Sequence, residues 1–156
     1  MRAILRGRSY WGAFLLGVGV MAAVDEIVFH QILAWHHFYD AATPAVGLLS
    51  DGLLHAAELF LFVAGFFVLL DARRRRELWP GAGWAGFVTG LGVFQLWDGV
   101  VDHKILRLHQ VRYGVEDLLP YDLAWIGAAL VLLTAGAAMT VVAARRGSLA
   151  GNRPRS

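Results

Sequence analysis

Along this chain the apolar residues gather into four long runs, Tyr10–Trp35, Leu48–Leu70, Trp84–Leu108 and Tyr121–Ala144, with short polar stretches between them. Each run has the ~20 residues that a helix needs to cross a bilayer. Lipid offers no partner to an open backbone polar group, so a run of this kind is predicted to cross as a helix. The connections carry helix-stopping residues: Pro44 and Gly47 in 38–47, Gly114 and Pro120 in 110–120. The connection 71–83 carries four consecutive arginines, Arg73–Arg76. The pattern predicts an all-α membrane protein, with four transmembrane helices forming one domain over residues 1–156.

Composition agrees. The chain is 58% hydrophobic with a mean hydropathy of +0.55, against roughly 45–50% apolar residues in soluble domains. Cysteine is absent, which excludes disulfides, thiolate metal sites and thiol catalysis. The basic residues fix an orientation. Eleven of them (Arg2, Arg6, Arg8, Arg73–Arg76, Arg145, Arg146, Arg153 and Arg155) fall on one side of the predicted membrane, and only Lys104, Arg107 and Arg112 fall towards the other. By the positive-inside rule both termini and the Arg73–Arg76 loop are cytoplasmic. The high pI is thereby read as a topology anchor and not as nucleic-acid chemistry. Residues 146–156 read as a disordered cytoplasmic tail. Trp11, Trp35, Trp79 and Trp84 stand at run ends, where interfacial aromatics belong. The basic start followed by an apolar stretch resembles a cleaved leader, but the stretch runs on into Asp25, Glu26 and His30 and recurs later in the chain.

That recurrence carries the organisation. Residues 11–37 align with 84–110 at an offset of 73 without a gap, pairing Trp11 with Trp84, Gly17 with Gly90, Asp25 with Asp98, His30 with His103 and His36 with His109. The second helices align at an offset of 71, pairing Asp51 with Asp122 and Gly65 with Gly136. A two-helix unit returns the chain to its starting side, so the halves (about 10–71 and about 83–145) are predicted to be parallel repeats about an axis along the membrane normal. Gly17, Gly19, Gly90 and Gly92 read as close-packing positions between helices.

The chemistry lies in ionisable residues inside the runs. Asp25, Glu26, His30, His55, Glu58, Asp98, Asp102, His103 and Lys104 all fall within predicted spans. A charge at mid-membrane costs at least ~2.5–3.5 kcal/mol, so each needs a partner, neutrality or a polar cavity. At the ~1.5 Å rise of an α-helix, His30, His103 and His55 lie about 8–9 Å below the outer surface. Asp25, Asp98, Glu58 and Glu26 lie about 13–15 Å below it. His36, His37, His109, Asp51 and Asp122 fall at the rim. At ~100° per residue Asp25 shares a face with His36, and Asp98 with His109, while Glu26 and His30 are i,i+4 neighbours. Histidines and carboxylates converging from several helices are how bundles build metal sites, and this donor set suits Cu(II), Zn or Fe rather than Cu(I). His30, His55 and His103 are the expected inner ligands. Asp25, Asp98, Glu58, Asp51 and Asp122 are the expected acceptors that hold the imidazoles in place. His36, His37 and His109 are expected to collect metal at the mouth.

Three other readings fit the same residues. The first is a haem held by His30 and His103, with Lys104, Arg107 and Arg112 on its propionates. The second is a proton or ion pathway through Asp25, Asp98 and Glu58. The third is a structural subunit of a membrane complex. No nucleophile triad or phosphate loop is present, so no catalytic residue is identified and the chain leans away from being an enzyme.

Four segments carry a resemblance: Val24–His37 (VDEIVFHQILAWHH), Ser50–Ala56 (SDGLLHA), Leu96–Arg112 (LWDGVVDHKILRLHQVR) and Pro120–Trp125 (PYDLAW). They resemble the bacterial predicted membrane proteins grouped as domain of unknown function 2243, over about residues 10–140. The resemblance implies a multi-helix protein of the bacterial inner membrane without an established activity. Its expected company is the lipid bilayer and factors that assemble copper-containing terminal oxidases. Its pattern supports the same histidines and aspartates, together with Lys104, Arg107 and Arg112. It has glycine where this chain has Glu26, as in Asp98-Gly99, so Glu26 and Asp102 are left out of the expected set.

Overall fold

The computed structural model describes the backbone of residues 1–151 and the side chains up to residue 147. After a four-residue turn of helix, α1 (Arg2–Leu5), the chain forms four long rods. The first is α2 (Arg8–Val24), which passes without a break into a π-helix, π1 (Asp25–Ile32). The second is α3 (Pro44–Arg74). The third is α4 (Pro80–Trp97), which continues as a second π-helix, π2 (Asp98–Ile105). The fourth is α5 (Leu119–Gly151). Of the tail expected to be disordered, residues 152–156 lie outside the described residues.

Local chemistry sets the rod ends. Pro44 and Pro80 stand at the first helical turn, where a missing N–H costs nothing and the fixed φ is already helical. The Thr43 side chain caps α3 by accepting from the Val46 N–H at 3.4 Å. Arg76, at φ 59°, stops α3 in the left-handed region.

Three rods are long and apolar enough to cross a membrane: Arg8–Ile32, Pro44–Arg74 and Leu119–Gly147. The rod Pro80–Ile105 is less apolar, being rich in glycine and carrying Gln95, Asp98, Asp102, His103 and Lys104. Its position explains the difference. α4 packs on both α2 and α5, while α2 packs on both α3 and α4. The rods thus stand in the order α3, α2, α4, α5, with α2 and α4 as the central pair. α3 turns Leu53, Leu59, Phe60, Phe66 and Phe67 outward, whereas the inner faces of α2 and α4 bury Ala13, Gly17, Gly19, Ala85, Gly86 and Gly90. Small residues inside and large apolar ones outside are the membrane arrangement, since lipid gives helices no hydrophobic reason to associate and close backbone packing must do so.

The central contact is reciprocal. A Cβ on Gly17 would collide with the Phe87 carbonyl oxygen, and a Cβ on Gly90 would collide with the Phe14 carbonyl oxygen. Backbone obstacles cannot rotate away, so Gly90→Val is expected to cost about 3 kcal/mol, the upper end for overpacked sites. A lowered thermal unfolding midpoint in detergent is the readout, relative to the control Gly127→Val, where an added Cβ would meet nothing within 4 Å. An unchanged midpoint would mean that α2 and α4 do not pack this way.

At the Arg73–Arg76 end, Arg8 pairs with Asp71 (3.0 Å) and Glu77 (3.1 Å), and the Ser9 hydroxyl joins the start of α4 by accepting from the Trp79 N–H at 2.9 Å. The ion pairs are exposed and add little. The polar residues gather at the opposite end, around π1, π2 and the first turns of α3.

Candidate metal centre

The π wind decides which side chains meet. Its hydrogen bonds run from i to i+5: Leu33 N–H donates to Val28 O (2.8 Å) and Leu106 N–H to Val101 O (2.7 Å). Residues five apart therefore come into register. His30 Nε2 lies 3.5 Å from Asp25 Oδ2, and His103 Nε2 lies 3.1 Å from Asp98 Oδ2. On an α-helix those pairs would diverge. Each π-helix then stops at a non-glycine residue in the left-handed region, Ala34 (φ 47°) or Arg107 (φ 54°). Such a residue carries strain of order 1–2 kcal/mol, and it reverses the chain so that the next histidine folds back over the helix end.

That reversal buries two residues expected at the rim, His36 and His109. They are only 4% and 1% exposed, and their rings stack at 4.4 Å between centroids, 15° from parallel. The pair lies between His30 and His103: His36 is 4.5 Å from His30 and 6.0 Å from His103, and His109 is 5.8 Å and 4.6 Å from the same two rings. Four imidazoles, two from the π-helices and two from the loops, thus form one buried group. Asp51 also lies inside. Its Oδ1 is 3.3 Å from His30 Nδ1 and accepts from the Phe38 N–H at 2.8 Å, while its Oδ2 is 2.6 Å from His37 Nδ1.

The other expected residues are placed apart. His55, its side chain 43% exposed, stands at the margin, 3.1 Å from Glu58 Oε2 and 3.6 Å from Glu26 Oε1. His37 is half-exposed on Asp51. Lys104 holds Asp122 at 2.6 Å. Arg112 lies over the Trp35 and Tyr121 rings at 4.7 and 5.1 Å and donates to the Tyr121 hydroxyl at 2.7 Å. Arg107 is exposed. These three cations do not converge on the imidazoles. The flat slot that a porphyrin would need between His30 and His103 is filled by the His36 and His109 rings.

Two residues left out of the expected set are in the group. Glu26 is fully buried, with Oε2 2.6 Å from His30 Nδ1 and Oε1 accepting from Gln31 Nε2 at 2.8 Å. Asp102 is buried at the foot of the loop. The i,i+4 spacing of Glu26 and His30 was the signal for the first; the second was marked only by its place inside an apolar run.

The donors suit a cation. Three sets have one ligand atom from each residue within 4.8 Å of the others: His30, His36 and His109; Asp98, His103 and His109; Glu26, His30 and Asp51. His109 Nδ1 donates to the Phe38 carbonyl at 2.9 Å. That bond fixes the tautomer and turns the Nε2 lone pair inward, as a ligating histidine requires. His109 Nε2 and His103 Nε2 are 2.9 Å apart, a hydrogen-bond distance, and a small opening to about 3.3 Å would let both nitrogens share one tetrahedral ion at 2.0–2.1 Å. Both carboxylate oxygens of Asp25 and both ring nitrogens of His36 are buried without a hydrogen-bond partner. Six buried carboxylates surround the group (Asp25, Glu26, Asp51, Glu58, Asp98 and Asp102), and no lysine or arginine is buried with them among the described residues. Unpaired buried charge is costly enough that such groups are normally paired or coordinate metal. Burial, and then the neighbouring His109, His30 and His103, hold the His36 imidazole well below the usual range. The ring is therefore held neutral, the form that could hold a metal.

A cleft of about 400 Å³ reaches the group from the loop end, lined by His30, Ala34, Trp35, His36, His37, Asp40 and Tyr113. The cleft lies at the end of the bundle opposite Arg73–Arg76.

No curated protein and no solved structure matches the chain. The family model described as predicted membrane protein matches residues 12–143, and the chain belongs to that family, domain of unknown function 2243.

Proposed function

We propose that this membrane protein binds a transition metal in the His30–His36–His103–His109 group, in a site open to the exterior. The observation that carries the reading is the convergence of four buried imidazoles beside buried Asp25 and Asp98, with both ring nitrogens of His36 and both oxygens of Asp25 left without hydrogen-bond partners. Bundles with facing histidines and carboxylates use that arrangement for metal. Without cysteine, and with its methionines apart in sequence, the site favours Cu(II), Zn or Fe. Handling metal for a respiratory oxidase under assembly is the role that the family resemblance suggests. The direct test is elemental analysis of the gently purified protein with added Cu(II) or Zn(II); no retained metal in a folded sample rejects the reading.

We further propose that the rod Pro80–Ile105 crosses the membrane as the fourth span, and that the chain is two parallel repeats. Support comes from the matching π-helices and left-handed stops 73 residues apart, and from the reciprocal Gly17–Phe87 and Gly90–Phe14 contacts. A reporter fused after Ser156 or inserted at Arg74 is then expected to read cytoplasmic, and one at Pro44 or Gly114 exterior. A C-terminus outside would contradict four spans.

A proton pathway is the second reading, favoured by the run of contacts from half-exposed His55 through Glu26 to buried His30. It requires metal-free wild type and transport lost in Asp25→Asn.

A further inference from the structure

The two repeats are not chemically equivalent at the centre. His30 answers to His103, His36 to His109 and Asp25 to Asp98, but the carboxylates around them have diverged. The first half has Glu26 against His30 at 2.6 Å, and Asp51 against His30 at 3.3 Å. In the second half Gly99 stands for Glu26, and a Cβ there would meet Trp125 Cδ1 at 2.6 Å, so no glutamate fits. Asp122 stands for Asp51, and Lys104 neutralises it at 2.6 Å. In the second half the donor atoms that come together are those of Asp98 and two imidazoles, His103 and His109, with Asp102 buried nearby.

Resting on the metal-binding reading above, we propose that the centre holds two ions in adjacent, dissimilar positions: an oxygen-rich one formed by Glu26, His30 and Asp51, and a nitrogen-rich one formed by Asp98, His103 and His109. These donor triplets share no residue, and each brings its ligand atoms within 4.8 Å of one another. His36 joins them, since with His30 from one and His109 from the other it forms a third set of the same tightness. A four-coordinate ion leaves one place in each triplet. His36 and Asp25 are the buried donors without partners that can fill those places. Charge points the same way. Six buried carboxylates, with no buried lysine or arginine among the described residues, are balanced better by two divalent ions than by one. The carboxylate-rich position suits a harder ion and the imidazole-rich one Cu(II) or Zn(II).

The test uses the full chain, stripped with chelator in detergent, loaded with Zn(II) or Cu(II), desalted and analysed for metal per chain. Wild type is expected to retain two equivalents. His103→Ala and His109→Gln are each expected to retain one, as is the double variant Glu26→Gln, Asp51→Asn. Copper in the Glu26→Gln, Asp51→Asn protein should give an electron paramagnetic resonance spectrum with nitrogen couplings from two imidazoles, and copper in His103→Ala an oxygen-dominated one. The wild-type count decides even where a variant does not fold. One equivalent in wild type would overturn the two-ion centre and leave the metal-binding reading standing. No metal at all would sink both.

Discussion

The double substitution His30→Ala, His103→Ala is expected to leave the protein without tightly bound metal. Among the described residues, every set of ligand atoms that comes together contains His30 or His103, so no complete set survives there. Changing a residue that merely positions a ligand typically costs about 10–100-fold in metal affinity. Removing two ligands is expected to exceed that, taking affinity down by more than about 100-fold, and equilibrium competition against a chromogenic chelator measures it. Lys104→Ala and Arg112→Ala serve as controls, because both side chains are engaged on Asp122, Trp35 and Tyr121 rather than on the imidazoles. They are expected to bind metal as wild type does. A protein that loses its cofactor in these controls as well as in the histidine variant would fit a haem held by His30 and His103 with its propionates on those cations instead.

Acidification is expected to have the second large effect. Only deprotonated imidazole ligates, and an ordinary histidine takes up its proton near pH 6.5. Below that pH each imidazole that must release a proton to bind costs tenfold in affinity per pH unit. Protons compete with the metal at each such ligand, so the loss grows with the number of imidazoles that must give up a proton. The sign follows: binding is strongest at neutral pH and falls as pH falls. His36 contributes nothing to this slope, because burial already keeps it neutral. His36→Ala should therefore weaken binding equally at every pH, while the wild-type slope is retained. Calorimetric titration with Zn(II) at pH 5, 6 and 7 checks both statements. A flat wild-type profile would mean that carboxylates alone hold the ion.

Most of the fold was legible. The apolar run Tyr10–Trp35 became Arg8–Ile32, and Leu48–Leu70 became Pro44–Arg74, because ~20 apolar residues have little choice but a helix. Pro44, read as a stop, proved to be a start, which the same ring geometry allows. The rod Pro80–Ile105 was legible as a helix, but its glycines and polar end reflect a sheltered place between α2 and α5. The residues of the centre were also legible by type, since ionisable groups in an apolar run need an explanation. Their grouping was not. A periodicity of 100° per residue pairs Asp25 with His36, whereas the π wind pairs it with His30, and no residue in DEIVFHQI announces that wind. The left-handed turns at Ala34 and Arg107 were equally silent, for neither is glycine or asparagine. Without those two turns His36 and His109 remain at the rim, His55 looks like an inner ligand, and Glu26 looks dispensable.

The central claim is that the buried imidazoles hold a metal. Its most direct measurement is the metal content of wild-type protein purified without chelator, set beside the His30→Ala, His103→Ala protein from the same preparation. At least one equivalent of Cu, Zn or Fe is expected in the wild type and a trace in the variant. A folded wild type that carries no metal, and takes up neither Cu(II), Zn(II) nor Fe(II) when they are supplied, would contradict the account.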